Sequence, residues 1–292
     1  MMKVLVIGSG GREHALCWSL SKSPLLTELF CAPGNPGTAQ VANNVPISVE
    51  RTEELVLWAK EASIDITVVG PELPLSLGLA DAFTAEGLKI FGPTQAATQL
   101  ESSKAFSKEI MNAAKVATPK GKVFEDVDLA KAYLEEVGTQ IVIKADGLAA
   151  GKGVSLPNSL EEAQDTLDQL MTGLALGGAG KKVVIEERID GIEASVMAFV
   201  DGTTALPFVV SQDYKRLLDR DQGPNTGGMG AISPTPNLPD SDALEVVETM
   251  FVPVLEELQR RGIHYTGFLY GGMMIDGSGN KSIIEFNCRL GD

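Results

Sequence analysis

The sequence predicts an α/β chain in two parts, an N-terminal parallel sheet covered by helices and then an α+β domain with antiparallel sheets. Three observations predict this. Over the first hundred residues short, continuously apolar runs alternate with helix-like stretches, the pattern of a parallel sheet buried on both faces. After Leu100 the strand-like runs lengthen and are joined by hairpin-like turns. The length of 292 residues also exceeds what one domain of about 100–200 residues holds.

The elements follow in order. KVLVI (3–7), ELFCA (28–32), DITVV (65–69) and LKIF (88–91) are β-rich runs, with helix-like stretches at 13–21 and 53–62 between them. Four of the runs end in turn residues: Gly8-Ser9-Gly10-Gly11, Pro33 to Gly37, Gly70-Pro71-Glu72 and Gly92-Pro93-Thr94. Ligands of open parallel sheets sit at the carboxyl ends of strands, so these turns are expected to line one crevice. ESSKAFSKEIMNAAKV reads as a helix capped near Ser102 or Ser103. One helix is expected within 124–138, another over 160–171, and strands over 183–187, 193–200, 205–210, 268–275 and 281–287. The four-glycine run 173–180 reads as a mobile connection. The domain boundary is expected at 102/103.

Composition removes several functions. The net charge is −15 and no basic block is present, against the clustered cations that nucleic-acid binding requires. No apolar run approaches the ~20 residues of a membrane span, and the N-terminus shows no signal-peptide pattern, so a cytoplasmic location is expected. Cys17, Cys31 and Cys288 are odd in number and far apart in sequence, which makes neither a disulfide framework nor a metal spacing. With two histidines in the chain, chemistry is expected from lysines, arginines, carboxylates, backbone amides and a metal.

The stretch IVIKADGLAAGKGV, 141–154, joins an apolar strand, Lys144, a glycine-rich run and Lys152. It misses the P-loop spacing, because three residues rather than four separate Gly147 from Gly151-Lys152 and Gly153 follows where a hydroxyl is needed. Small residues still let a loop close over an anion; the alternative is a surface hairpin. VLVIGSGGREHA lacks the third glycine of the dinucleotide fingerprint, since Glu13 stands there, and no acidic residue ends the second strand. Amides at a strand-to-helix turn nevertheless favour an anion such as a sugar phosphate, which Arg12 can supplement.

Two acidic stretches lie downstream. VVIEERIDGIEAS, 183–195, offers backbone edges for a purine and a carboxylate for a ribose, or else an acidic surface hairpin. In SIIEFNCRLGD, Glu285, Asn287 and Arg289 alternate along a strand and so share a face. Ile284, Phe286 and Cys288 are expected to pack on the other. One carboxylate and one amide oxygen suit Mg²⁺, which completes its shell from phosphates and water.

These pieces in this order resemble the ATP-grasp fold. With APGNPGTA, VVGPELPL, IFGPT, LESSKAF, DQGPNTGGMGA and YTGFLYGGMMID added, the whole chain resembles the phosphoribosylamine-glycine ligase family of purine biosynthesis. The resemblance implies a Rossmann-like first domain (1–102) and an ATP-grasp domain (103–292) with a lid subdomain over about 118–188. It implies Lys104 and Lys144 on ATP, and Gly147, Gly151, Lys152 and Gly153 in a loop over its phosphates. Glu186 and Glu187 would hold adenine, Glu193 the ribose, and Glu285 and Asn287 Mg²⁺ or Mn²⁺. Gly8, Gly10, Gly11 and Arg12, with Glu72 in a neighbouring turn, would take phosphoribosylamine. Asp213, Lys215, Arg289 and the segment with Asn225, Thr226, Gly227 and Gly228 would surround glycine and the transferring phosphate. Alternatives are a related ligase for another acid and amine, or an ATP-binding remnant without turnover. The family pattern continues past Gly-Asp with Pro-Glu-Thr-Gln and a further domain. A chain ending at Gly291-Asp292 is therefore expected to turn over poorly and to associate through uncovered apolar surface.

Overall fold

A computed structural model of the chain describes residues 1–148, 153–171, 181–220, 222–226 and 228–291, and the backbone alone at 224, 225 and 240. Strands β1 (Met2–Gly8), β2 (Leu26–Pro33), β3 (Asn43–Asn44), β4 (Ile66–Val69) and β5 (Ile90–Phe91) pair in parallel in the order β3-β2-β1-β4-β5. Alternation along β1 serves two cores: Leu5 and Ile7 pack with Leu55, Leu79 and Phe83, while Val4 and Val6 pack with Cys17 and Leu29. Helices α1 (Gly11–Leu20), α2 (Thr52–Glu61), α3 (Glu72–Ser76) and α4 (Leu79–Ala85) complete this part. The edge pair β3 has no apolar signature and was not foreseen. Cys17 and Cys31 are not far apart in space, because the β1-α1-β2 return makes their thiols neighbours; both are free and buried.

The expected cap is Ser103, which stands extended between α5 (Gln95–Ser102) and α6 (Lys104–Ala113) and accepts from the Phe106 N–H at 3.1 Å. Next come β6 (Gly121–Phe124), α7 (Val127–Val137), β7 (Ile141–Ala145), β8 (Val154–Ser155), α8 (Leu160–Met171) and β9 (Val183–Glu187). The strands form an antiparallel sheet in the order β6-β9-β7-β8. Leu134 and Leu167 of the helices pack on Ile143 and Ile185 of the strands. The glycine run 173–180 lies outside the described residues.

The remaining elements are β10 (Gly191–Asp201), β11 (Thr204–Pro207), two short antiparallel pairs within 212–232, α9 (Asp240–Val246), α10 (Val252–Arg260) and two long final strands. The short pairs join β12 (Gln212–Asp213) to β15 (Ala231–Ile232) and β13 (Arg216–Leu218) to β14 (Gln222–Asn225). The final strands are β16 (Thr266–Asp276) and β17 (Lys281–Asn287), in an antiparallel sheet ordered β11-β10-β16-β17. No element was expected over 240–260, which is a helical run with a π-turn at Val247–Phe251. Phe251 from that turn packs on Phe286 with ring centroids 5.6 Å apart, backing β17. No helix among the described residues is long and apolar enough to cross a membrane.

One strand departs from simple alternation. The register passes from Gly272–Glu285 to Met273–Ile283, so Ile284 is an extra residue, a bulge. Ile283, Phe286 and Cys288 are therefore the buried residues, and Ile284 is not. Arg289 also falls beyond the strand, which ends at Asn287.

Candidate active site

At the carboxyl end of β1 the turn is held from beneath by Glu13, a side chain only 2% exposed. Its Oε2 accepts from the Gly10 N–H at 2.6 Å and its Oε1 from Arg12 Nε at 2.6 Å. In the sequence Glu13 stands out only as a missing glycine, whereas its carboxylate is what fixes the turn. Gly8 lies at φ +130°, and a Cβ there would meet Glu13 Cγ at 2.5 Å. Gly8→Ala is expected to destabilise by about 1–3 kcal/mol through overpacking and backbone strain; an unchanged urea midpoint would refute this account of the turn. Asn35 Nδ2 donates to the Ser9 and Gly10 carbonyls at 2.9 and 3.2 Å, and Gly70 packs against Glu13. Three of the expected turns thus converge. Arg12 is only 8% exposed, held by Glu13 and by the Leu290 carbonyl at 3.3 Å.

Between the two antiparallel sheets, cations and carboxylates collect. The buried Glu186 carboxylate lies 2.6 Å from Lys108 Nζ and is ion-paired with Lys144. Lys144 Nζ also donates to the carbonyl of the bulged Ile284 at 2.7 Å, so the bulge couples β17 to β7. Glu187 is exposed; its Oε1 accepts from Lys120 N at 2.9 Å. Lys104 Nζ donates to the Gly147 carbonyl at 3.0 Å; burial lowers its pKa, opposed by Glu285 and Asp146. The Ala145 N–H to Gly153 carbonyl bond of 2.7 Å closes the hairpin base, while Gly151 and Lys152 lie outside the described residues.

A second cluster surrounds Lys215. Its Nζ stands 3.2 Å from Glu193 Oε2 and 3.9 Å from Glu285 Oε1. Burial works against its ammonium, but Glu193, Glu285 and Asp213 outweigh it and raise the pKa. Burial raises the Asp213 pKa, with Lys215 opposing. The Lys215 carbonyl accepts from the Thr226 N–H and Oγ1 at 2.7 and 2.8 Å, and Gly228 N donates to that hydroxyl at 3.1 Å. Asn225 lies in β14 with only its backbone described, and Gly227 lies outside the described residues.

Glu285 faces Gly272 and Asn287 faces Tyr270 across β16. With no side chain on Gly272, the carboxylate has room on that face. Among the described residues no group of three or more His, Cys, Asp or Glu could by itself hold a metal. One anionic and one neutral oxygen fit a hard divalent ion that takes most of its shell from phosphate and water. Arg289 Nε lies 3.2 Å from Glu72 Oε2 and 3.4 Å from Glu101 Oε1, joining β17 to the first sheet domain. Glu101 and Lys108 were not foreseen. A detectable signal existed for Lys108, which stands four residues after Lys104 and so on the same helix face.

Two antiparallel sheets enclosing this charge cluster, behind a parallel-sheet domain, define the ATP-grasp architecture. Family models match over 2–101 (phosphoribosylglycinamide synthetase, N domain) and 102–292 (phosphoribosylglycinamide synthetase, ATP-grasp (A) domain). The chain is 52% identical to phosphoribosylamine–glycine ligase of Escherichia coli K12, over 100% of this chain and 68% of that protein. It is similar to the crystal structure of phosphoribosylamine–glycine ligase from Thermotoga maritima, with TM-score 0.85, 36% identity, and coverage of 99% of this chain and 69% of that one. A biotin carboxylase domain from Hydrogenobacter thermophilus, solved with MgADP and bicarbonate, shares the fold at TM-score 0.73 and 18% identity, over 99% and 65% of the two chains. The chain belongs to the phosphoribosylglycinamide synthetase family.

Proposed function

We propose that this chain joins glycine to 5-phosphoribosylamine at the expense of ATP, giving glycinamide ribonucleotide, ADP and phosphate in purine biosynthesis. The observation that carries the reading is the convergence of Lys104, Lys144, Lys215 and Glu285 between two sheets, beside an Arg289 that reaches the sugar-phosphate domain. Glycine's carboxylate oxygen attacks the γ-phosphorus of ATP, ADP leaves, and the amine of phosphoribosylamine then attacks the acyl carbon and expels phosphate. Such transfer asks for positioning and charge neutralisation rather than a covalent protein group. Lys104 and Lys144 neutralise the phosphates, and Gly147 to Gly153 cover them. The β9 segment with Glu186 and Glu187 borders adenine, and Glu193 faces the ribose. Asp213, Lys215, Arg289 and 225–228 surround glycine. The Gly8 to Arg12 turn and Glu72 face phosphoribosylamine.

Glu285 and Asn287 would hold Mg²⁺ or Mn²⁺, which when bound offsets phosphate charge. Glu285→Ala is expected to weaken Mg²⁺-ATP binding by roughly tenfold or more, ~1.4 kcal/mol per decade. Asn287→Ala is expected to weaken it less, because it removes no anionic oxygen. Calorimetry showing unchanged affinity in both variants would remove the assignment. We set the domain boundary at 102/103 and the lid at about 118–188. The three buried free thiols accord with a cytoplasmic location. The deciding experiment is ADP formation tested for joint dependence on glycine and phosphoribosylamine. Dependence on another acid or amine would move the chain to a related ligase, and ATP binding without turnover would leave a nucleotide-binding protein.

A further inference from the structure

The bonding across the domain junction is continuous. Starting from the sugar-phosphate turn, Gly10 N–H meets Glu13, Glu13 meets Arg12 Nε, and Arg12 Nη1 donates to the Leu290 carbonyl. Arg289 Nη1 donates to that same carbonyl at 3.1 Å, and Arg289 Nε meets Glu72 and Glu101. Glu101, at the end of α5, is the member of this chain with two attachments to one short segment. Its Oε2 accepts from the Cys288 N–H at 2.6 Å while its Oε1 lies 3.4 Å from Arg289 Nε. The β16–β17 register ends at Tyr270–Asn287, so at residue 288 a side-chain carboxylate accepts from the strand's backbone where the ladder has stopped.

We propose that Glu101 is a positioning residue for the ligation, setting Arg289 by fixing both the backbone before it and its guanidinium. This rests on the proposed function, in which Arg289 faces the transferring phosphate. An arginine fork has a fixed plane, so the Glu101 bond to the Cys288 N–H, the Glu101 charge 3.4 Å from Nε and the Nε–H hydrogen bond to Glu72 at 3.2 Å together set where the guanidinium points. A buried carboxylate is a costly way to hold a strand end unless its charge is also used. With a side chain only 7% exposed, Glu101 is burdened in this way: burial raises its pKa to about 7, against Arg289 and the Cys288 N–H. Other groups facing it are the carboxylates of Glu72 and Glu285, the Cys288 thiol, the Tyr265 hydroxyl and Lys104. Because the folded-state pKa lies above the ordinary 4.5, the native state retains a proton that the unfolded chain has released. Its stabilising contribution is thus complete below pH 4.5 and is lost as pH rises towards 7. The grip on Arg289 strengthens over the same interval.

The test compares the full chain with Glu101→Gln, Glu101→Asp and Glu101→Ala. Glu101→Gln is expected to lower kcat on the order of 10²-fold, the scale of a small misplacement, with Mg²⁺-ATP affinity within about twofold, a factor worth only ~0.4 kcal/mol. Its kcat–pH limb near 7 disappears, Glu101→Asp recovers part of the rate, and Glu101→Ala falls further. A readout independent of turnover is the Arg289 Nε–H resonance, assigned by its loss in Arg289→Lys. It is expected to shift upfield and exchange faster in Glu101→Gln. Wild-type kcat and pH profile in Glu101→Gln, or rate losses that only track melting temperature, overturn the proposal, as does an unmoved Arg289 resonance. If the wild type forms no glycine-dependent ADP while the resonance shifts as expected, the proposed function fails and the placement of Arg289 by Glu101 stands.

Discussion

Glu186→Ala is expected to lower the unfolding free energy by roughly 3–5 kcal/mol, the usual cost of stripping one partner from a buried ion pair, and to abolish measurable ATP binding. The side chain is 2% exposed and sits between Lys108 and Lys144, themselves 6% and 11% exposed. Lys108 also donates to two neutral acceptors, the Thr118 hydroxyl and the Pro119 carbonyl at 2.8 and 2.7 Å, and Lys144 to the Ile284 carbonyl. Removal of Glu186 therefore leaves two ammonium groups buried against neutral oxygens. Burial already lowers the Lys108 pKa, with Glu186 opposing. The same carboxylate ties α6, β7 and β9 together and, through Ile284, reaches β17. Its neighbour makes the contrast: Glu187 is exposed and accepts one backbone N–H, so Glu187→Ala should cost about 1 kcal/mol or less. Urea unfolding of both variants checks this, and equal midpoints would sink the distinction.

Arg289→Lys should reduce turnover by roughly 10²–10³-fold, as removal of one preorganised transition-state donor does elsewhere, while ATP still binds. A lysine keeps the charge but not the fork. One ammonium cannot reproduce a geometry that meets Glu72, Glu101 and the Leu290 carbonyl at 3.2, 3.4 and 3.1 Å. Single-turnover ADP formation beside calorimetry separates the two effects. A rate within threefold of wild type, a difference of only ~0.7 kcal/mol, would show that Arg289 does not face the reacting phosphate.

Segments with a clear hydrophobic period have the boundaries expected of them: the spans 160–171, 183–187 and 281–287 are those of α8, β9 and β17. Local composition suffices there because period and burial agree. The bulge at Ile284 was not legible. It arises where β17 must meet both the β16 ladder and Lys144, and no residue in SIIEFN signals an extra position. Lys104, Lys144, Lys215 and Glu285 could be singled out as candidates, but their convergence comes from separate elements: Lys104 opens α6, Lys144 lies on β7, Lys215 in the link between β12 and β13, and Glu285 on β17. Glu13 shows the limit most clearly. A template that asks for glycine reports a mismatch at that position, while the fold uses the carboxylate to hold Gly10 and Arg12, with Gly70 packed against it.

What the sequence by itself determined is the series of elements, the two-part α/β order and the pool of charged residues available for chemistry, since these follow from hydrophobic period and residue type along short stretches. What only the tertiary structure decided is which charges neutralise one another. Glu101 and Cys288 are separated by 187 positions, and Lys144 and Ile284 by 140. Electrostatic interaction depends on distance and burial in space, and neither is set by position along the chain until the sheets have packed.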